Sequence, residues 1–263
     1  MGVIDSHAHT SELWYEPVET LSAIMGNHYV DRAILIPYGG NYIEDRYELA
    51  CARQFPEKFA AVVQVDLKQP EALDSLDVLV KKGASGIRLR PGEYCPGADP
   101  LAVWRKANAL GLAVSSLGSI DTYSSGDFIT ILEKFTDLKI VLEHLGGAAR
   151  TKSNPEPNYP MFGNVLALAK YPNVYIKLPG FGEFTPRPYP MKNPAFDQTP
   201  SVIKMVYDAF GPQRMMWGSD FPNCSTREGY RNALQYPMKI HYFSDEDRKW
   251  IFEKTALSVF WKK

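Results

Sequence analysis

The chain has 263 residues, 45% hydrophobic and 22% charged, a composition that suits one large folded core and excludes an extended disordered chain. With 29 basic against 30 acidic residues the net charge is -1, and no Lys/Arg cluster is dense enough to serve as a nucleic-acid footprint. Three widely spaced cysteines, Cys51, Cys95 and Cys224, match neither a disulfide framework nor a zinc ribbon, so reduced thiols are expected.

From Met1 the sequence enters an apolar run with no signal-peptide pattern, and no run reaches the length of a membrane span; a cytoplasmic protein without a membrane partner is expected. Eight short runs follow, each of a length that suits a buried parallel strand: Val3 to His7, Ala33 to Pro37, Ala60 to Val65, Ala84 to Leu89, Leu112 to Leu117, Lys139 to His144, Val174 to Leu178 and Met215 to Ser219. Helical spacing fills the gaps, as in "PVETLSAIMGNH" with Val18, Leu21, Ile24 and Met25, and "PEALDSLDVLVKKG" with its closing Gly. Alternation of this kind predicts an α/β chain folded as a (β/α)8 TIM barrel, a single domain over 1–263. A doubly wound open sheet is the rival, but it would carry a Gly-rich phosphate turn after its first strand, where "DSHAHT" stands instead. The segment after the eighth unit, "SDEDRKWIFEKTALSVFWK", predicts a C-terminal helical tail that Ser244 and Asp247 cap.

In such a barrel the chemistry lies at the carboxyl ends of the strands. His7 and His9 close the first run and share one side of an extended strand, His144 closes the sixth, and Asp220 follows the eighth. Three of the five histidines therefore end strands; His28 and His241 have ordinary settings. Arg88 lies in the fourth run, where it suits either a substrate carboxylate or a salt bridge inside the barrel. Arg90 reads as a loop residue, and Lys177 in the seventh run as an interior lysine that pairs with Asp5 or Glu143.

"VIDSHAH", "GIRL", "IVLEHLGG", "NVYIKLPGF" and "MMWGSDFP", taken in order, resemble the amidohydrolase superfamily. The likeness is strongest to the amidohydrolase-related branch that holds sugar lactonases and 2-pyrone-4,6-dicarboxylate lactonase, beside non-oxidative decarboxylases such as aminocarboxymuconate semialdehyde decarboxylase. It runs from residue 3 to "EKTALSVF", which is similar to a closing N-A-x-x-x-F pattern with Thr255 in place of Asn. Members that bind one divalent ion combine the strand 1 pair with a strand 5 His and the Asp after strand 8. Here strand 5 reads "GLAVSSLGS", with Ser115 and Ser116 and no His. The lactonases of this branch are similar in lacking that ligand, and the resemblance implies that some of them work without a metal, so catalysis without a required cofactor is expected; a single divalent ion such as zinc, held by His7, His9, Asp220 and His144, is the alternative.

The resemblance implies a hydrolase that opens a lactone or related cyclic ester of a small carboxylate or aromatic-derived substrate. The alternative is a metal-dependent decarboxylase or hydratase, and a non-catalytic ligand-binding barrel is the third reading. Asp220 is expected to activate water, its basicity raised by partial burial, while His7, His9 and His144 polarise the carbonyl. Arg88, Arg187, Tyr38, Tyr94 and Phe181 are the expected substrate contacts. The expected partner is a small, anionic molecule, and a homo-oligomer is compatible with the sequence. Residues 179–200 hold six prolines and three phenylalanines, too long a stretch for the usual connection of about 2–6 residues, and are expected to cover the pocket.

Overall fold

The computed structural model describes residues 1–12, 16–38, 45–148, 161–184 and 198–261. Eight strands form one sheet in sequential order: β1 Ile4–Ala8, β2 Arg32–Leu35, β3 Phe59–Val63, β4 Gly86–Leu89, β5 Ala113–Ser116, β6 Ile140–Leu142, β7 Val174–Leu178 and β8 Met215–Trp217. Every neighbouring pair is parallel. The sheet closes on itself where β1 meets the residues after β8: Asp220 N donates to His7 O at 2.8 Å and His9 N donates to Phe221 O at 2.7 Å. This is the (β/α)8 barrel with a C-terminal helical tail, and the eight strands fall within the runs that their β-branched composition marks or shift by a residue or two.

Strand alternation divides the apolar residues into two layers. Ala33, Leu35, Phe59, Ala61, Ile87, Val114, Ile140, Ile176 and Trp217 face the helices in the outer core. Ile4, Ile34, Val62, Ala113, Val141 and Met216 fill the barrel interior, where Phe260 of the tail joins them. A register irregularity in β1 between Asp5 and Ala8 changes the phase of that strand. Ile4 consequently faces the interior while Ala8 joins the outer layer, and His7 and His9 turn inward. The tail begins with the expected capping box, Ser244 and Asp247 bonding reciprocally. Thr255, where the pattern has Asn, is buried and donates to Gln213 O at 3.2 Å, which ties the tail to the turn before β8. Among the described residues no helix is long and apolar enough to cross a membrane.

Asp5 clasps the closure. Its carboxylate accepts from Ser219 N at 2.8 Å, Ser219 Oγ at 2.5 Å, Tyr230 OH at 3.0 Å and His7 N at 3.1 Å. Burial pushes its pKa up, and these bonds work against that rise. Asp5→Ala strands four donors in a dry environment and should lower the unfolding free energy by about 3 kcal/mol. Chemical denaturation measures this directly, and a variant as stable as the parent would remove the clasp.

Candidate active site

The interior apolar layer stops partway up the barrel, and an ionic layer takes over. Arg88 of β4 donates to Glu143 through Nε at 3.1 Å and Nη2 at 2.7 Å, and to Pro37 O through Nη1 at 2.6 Å. Ser115 Oγ of β5 donates to Glu143 Oε1 at 2.7 Å. Lys177 Nζ of β7 donates to Ser115 Oγ at 2.9 Å and lies 2.9 Å from His7 Nδ1. Lys177 therefore reaches Glu143 through Ser115 and binds His7, not Asp5. Burial brings its pKa down to about 8, against the pull of Glu143, which leaves it cationic at neutral pH. Glu143 is equally buried, but Arg88 and Lys177 overcome the burial and hold its carboxyl well below the usual range.

Above this layer lie the four strand-end groups, brought together as the sequence pattern implies. His9 Nδ1 donates to Ile36 O at 2.7 Å, which turns Nε2 to within 3.3 Å of Asp220 Oδ1. His144 Nδ1 donates to Glu183 Oε1 at 2.7 Å. Burial alone would lower the His144 pKa, yet the Glu183 carboxylate outweighs it and the net shift is upward. His7 Nε2 is buried, has no hydrogen-bond partner among the described residues, and stands 3.8 Å from Asp220 Oδ1. Burial and the Lys177 charge keep the His7 pKa well below its ordinary value.

Asp220 departs from the expectation of raised basicity. Burial does favour its neutral form, but the bond to His9 and the charges of His144 and Arg227 win, and its carboxyl is held well below the usual range. Arg227 Nη1 donates to Asp220 Oδ2 at 3.0 Å and contacts Glu183 Oε1 at 3.3 Å. Backbone strain marks the same places: φ is 58° at Asp220 and 50° at His144, followed by 49° at Leu145. Left-handed torsions at these non-glycine residues cost on the order of 1–3 kcal/mol each and persist because the surroundings impose them.

His9, His144 and Asp220 line a cavity of about 520 Å³ together with Arg88, Arg90 and Arg227. Tyr38 reaches the same cavity, its ring 5.4 Å from His9. Other expected contacts lie elsewhere. Phe181 is buried in the outer core and stacks on Tyr236, because the short turn after β7 folds back under the helix Tyr230–Met238. Tyr94 engages Asp127 away from the cavity. Arg187 and most of the 179–200 segment, Tyr189 included, fall outside the described residues. Glu183 and Arg227 escape sequence reasoning because they sit in irregular segments; the lone acid between apolar residues in "GFGEF" is the one available sign.

The clustered histidines and carboxylate raise the question of a metal. His7, His144 and Asp220 offer ligand atoms that all lie within 4.8 Å of one another. A catalytic zinc site takes about three protein ligands, and its histidines hand their second nitrogen's proton to a carbonyl or carboxylate. His9 and His144 follow that pattern, through Ile36 O and Glu183. His7 faces an ammonium instead. The closely spaced trio thus includes an imidazole with the wrong partner, and the residues do not fit a three-ligand ion.

The amidohydrolase family profile matches residues 4–261. Among curated proteins no sequence matches the chain. A solved Pseudomonas putida protein assigned as a 2-pyrone-4,6-dicarboxylic acid hydrolase aligns with TM-score 0.76 and 21% identity, over 98% of this chain and 97% of its own. A zinc-bound amidohydrolase from Burkholderia multivorans aligns with TM-score 0.77 and 20% identity, over 99% of each chain. The 5-carboxyvanillate decarboxylase of Sphingomonas paucimobilis aligns with TM-score 0.63 and 14% identity, over 98% of each. At these identities the likeness carries the fold.

Glu228 lies behind the site, its carboxylate packed where Cβ atoms on Gly180 and Gly182 would come within 1.9 and 1.8 Å of its oxygens. Burial pushes its pKa up to about 7, with Arg227 opposing. Below its unfolded value the acid is protonated in both states. As pH rises from there to about 7 the unfolded chain ionises first, so stability falls across this window and levels off above it. Glu228→Gln should therefore gain stability relative to the parent between pH 5 and pH 8. Melting curves at both pH values decide it; parallel shifts in the two proteins would contradict the assignment.

Proposed function

The chain belongs to the amidohydrolase family, and from that premise we propose that it is a hydrolase opening a lactone or related cyclic ester of a small carboxylate. The observation that carries the reading is His7 Nε2, a buried imidazole nitrogen with no partner among the described residues, 3.8 Å from an ionised carboxylate at a cavity mouth. A buried polar group left unmatched costs about 1–3 kcal/mol, a cost that a bound carbonyl oxygen would relieve. Charge develops on that oxygen as water adds, and a donor already in place stabilises it without reorganisation.

Arg90 and Arg227 supply the attraction for a substrate carboxylate, since both line the cavity; Arg88 has three of its donors engaged by Glu143 and Pro37 and offers only what remains. An anion drawn to Arg227 competes with Asp220 for the same guanidinium. Asp220 becomes more basic as the substrate settles, which reconciles its low resting pKa with a role as general base. Water adds to the carbonyl carbon while its proton passes to Asp220. The ring C–O bond then breaks, and the proton moves from Asp220 to the departing oxygen, giving a hydroxy acid or its enol equivalent. His144, oriented by Glu183, and His9, oriented by Ile36 O, hold the carbonyl side. No metal is required on this reading. The decarboxylase alternative draws on the spacing of His7, His144 and Asp220, and would need the ion that His7 is poorly partnered to hold.

A pH-indicator assay over a panel of lactones should show turnover of carboxylate-bearing members. Asp220→Asn should lower kcat on the best of them by about 10²–10⁴-fold, the usual worth of a general base. Calorimetry should find product affinity in the variant little changed. Full activity in Asp220→Asn would sink the assignment of the base, and absence of turnover across the panel would sink the substrate class.

A further inference from the structure

We propose that Lys177 is the positioning residue that keeps this site from using a metal: its ammonium locks His7 in the Nε2–H form, a hydrogen-bond donor that has no lone pair to give an ion. The inference rests on the hydrolase reading for its functional meaning, but its structural content stands separately.

The direction of each bond follows from what each atom can do. A carboxylate only accepts, so the 2.7 Å contact between Ser115 Oγ and Glu143 commits the single serine proton to Glu143. Ser115 Oγ must then accept at its 2.9 Å contact with Lys177 Nζ. An ammonium has three donors and no acceptor, so at 2.9 Å it donates to His7 Nδ1 as well. Phe260, whose ring centre lies 5.9 Å from Nζ, faces the cation from the apolar layer below. With its Nδ1 lone pair taken, neutral His7 carries its proton on Nε2, the atom left without a partner among the described residues. At His9 and His144, by contrast, Nδ1 donates, to a carbonyl and to a carboxylate. Of the three imidazoles, His7 thus has its Nδ1 lone pair taken by a cation, which leaves Nε2 a donor with no lone pair for an ion. Glu143, gripped by Arg88, anchors the chain that sets this difference.

The test needs no substrate. In the full-length protein labelled with 15N-histidine, long-range 1H–15N spectra at pH 7 should give His7 the Nε2–H pattern, with its signals identified by their loss in His7→Gln. An Nδ1–H pattern or an imidazolium would overturn the proposal. Lys177→Met removes the ammonium while keeping a chain of similar length at the same place in the barrel. It should free His7 to present Nε2 as a ligand, and calorimetric titration with zinc alone should show affinity rising on the order of 10–100-fold over the parent. Equal affinity in a folded variant and the parent would overturn it too; if the variant fails to fold, the tautomer of the parent protein still decides. A failure of lactone turnover would leave both readouts in place, so the two readings fail separately.

Discussion

A lysine ammonium buried in the middle of a barrel is the constraint around which this molecule is arranged. Taking such a charge out of water costs several kcal/mol unless anions and acceptors surround it. Lys177 meets that demand with His7, Ser115 and, through Ser115, Glu143, while Glu143 needs Arg88 in turn. These groups come from β1, β4, β5, β7 and the end of β6, so the ionic layer also stitches most of the strands together just below the mouth. Removing one member would leave a buried charge unmatched, which makes the layer cooperative.

The chemistry above the layer inherits this order. His7 is oriented from below by Lys177, His9 by Ile36 O just past β2, and His144 from the side by Glu183. Asp220, in a left-handed backbone conformation, is placed against all three by the closure between β1 and the turn after β8. Charges of opposite sign alternate around the rim: Arg227 touches both Asp220 and Glu183. Such a site is charged but closely balanced, and on the proposed reading an incoming anion would redistribute existing pairs, coupling its recognition to the activation of Asp220 through Arg227.

Much of this was legible in the sequence because barrel strands announce themselves as short β-branched runs and their polar ends are conspicuous. His7, His9, His144 and Asp220 converge for that reason. The serine in place of a strand 5 histidine was also informative: Ser115 is where the chain from Lys177 turns toward Glu143. What stayed hidden depends on contacts that no periodicity encodes. The phase change in β1 cannot be read from "VIDSHAH", whose strict alternation would set Ile4 and His7 on opposite sides. Glu183 and Arg227 come from irregular turns, and the low Asp220 pKa reflects neighbours that are distant in sequence. Phe181 looked like a pocket wall because its loop leaves the catalytic face, but it packs into the outer core.

The claim that the chain's own residues replace a Lewis acid meets its most direct test in one measurement: ring opening of a carboxylate-bearing lactone by the full-length protein before and after exhaustive chelation, with metal content determined on the same samples. Equal rates with and without metal, and no gain on adding zinc, are expected. A rate that collapses on chelation and returns with stoichiometric zinc would contradict it.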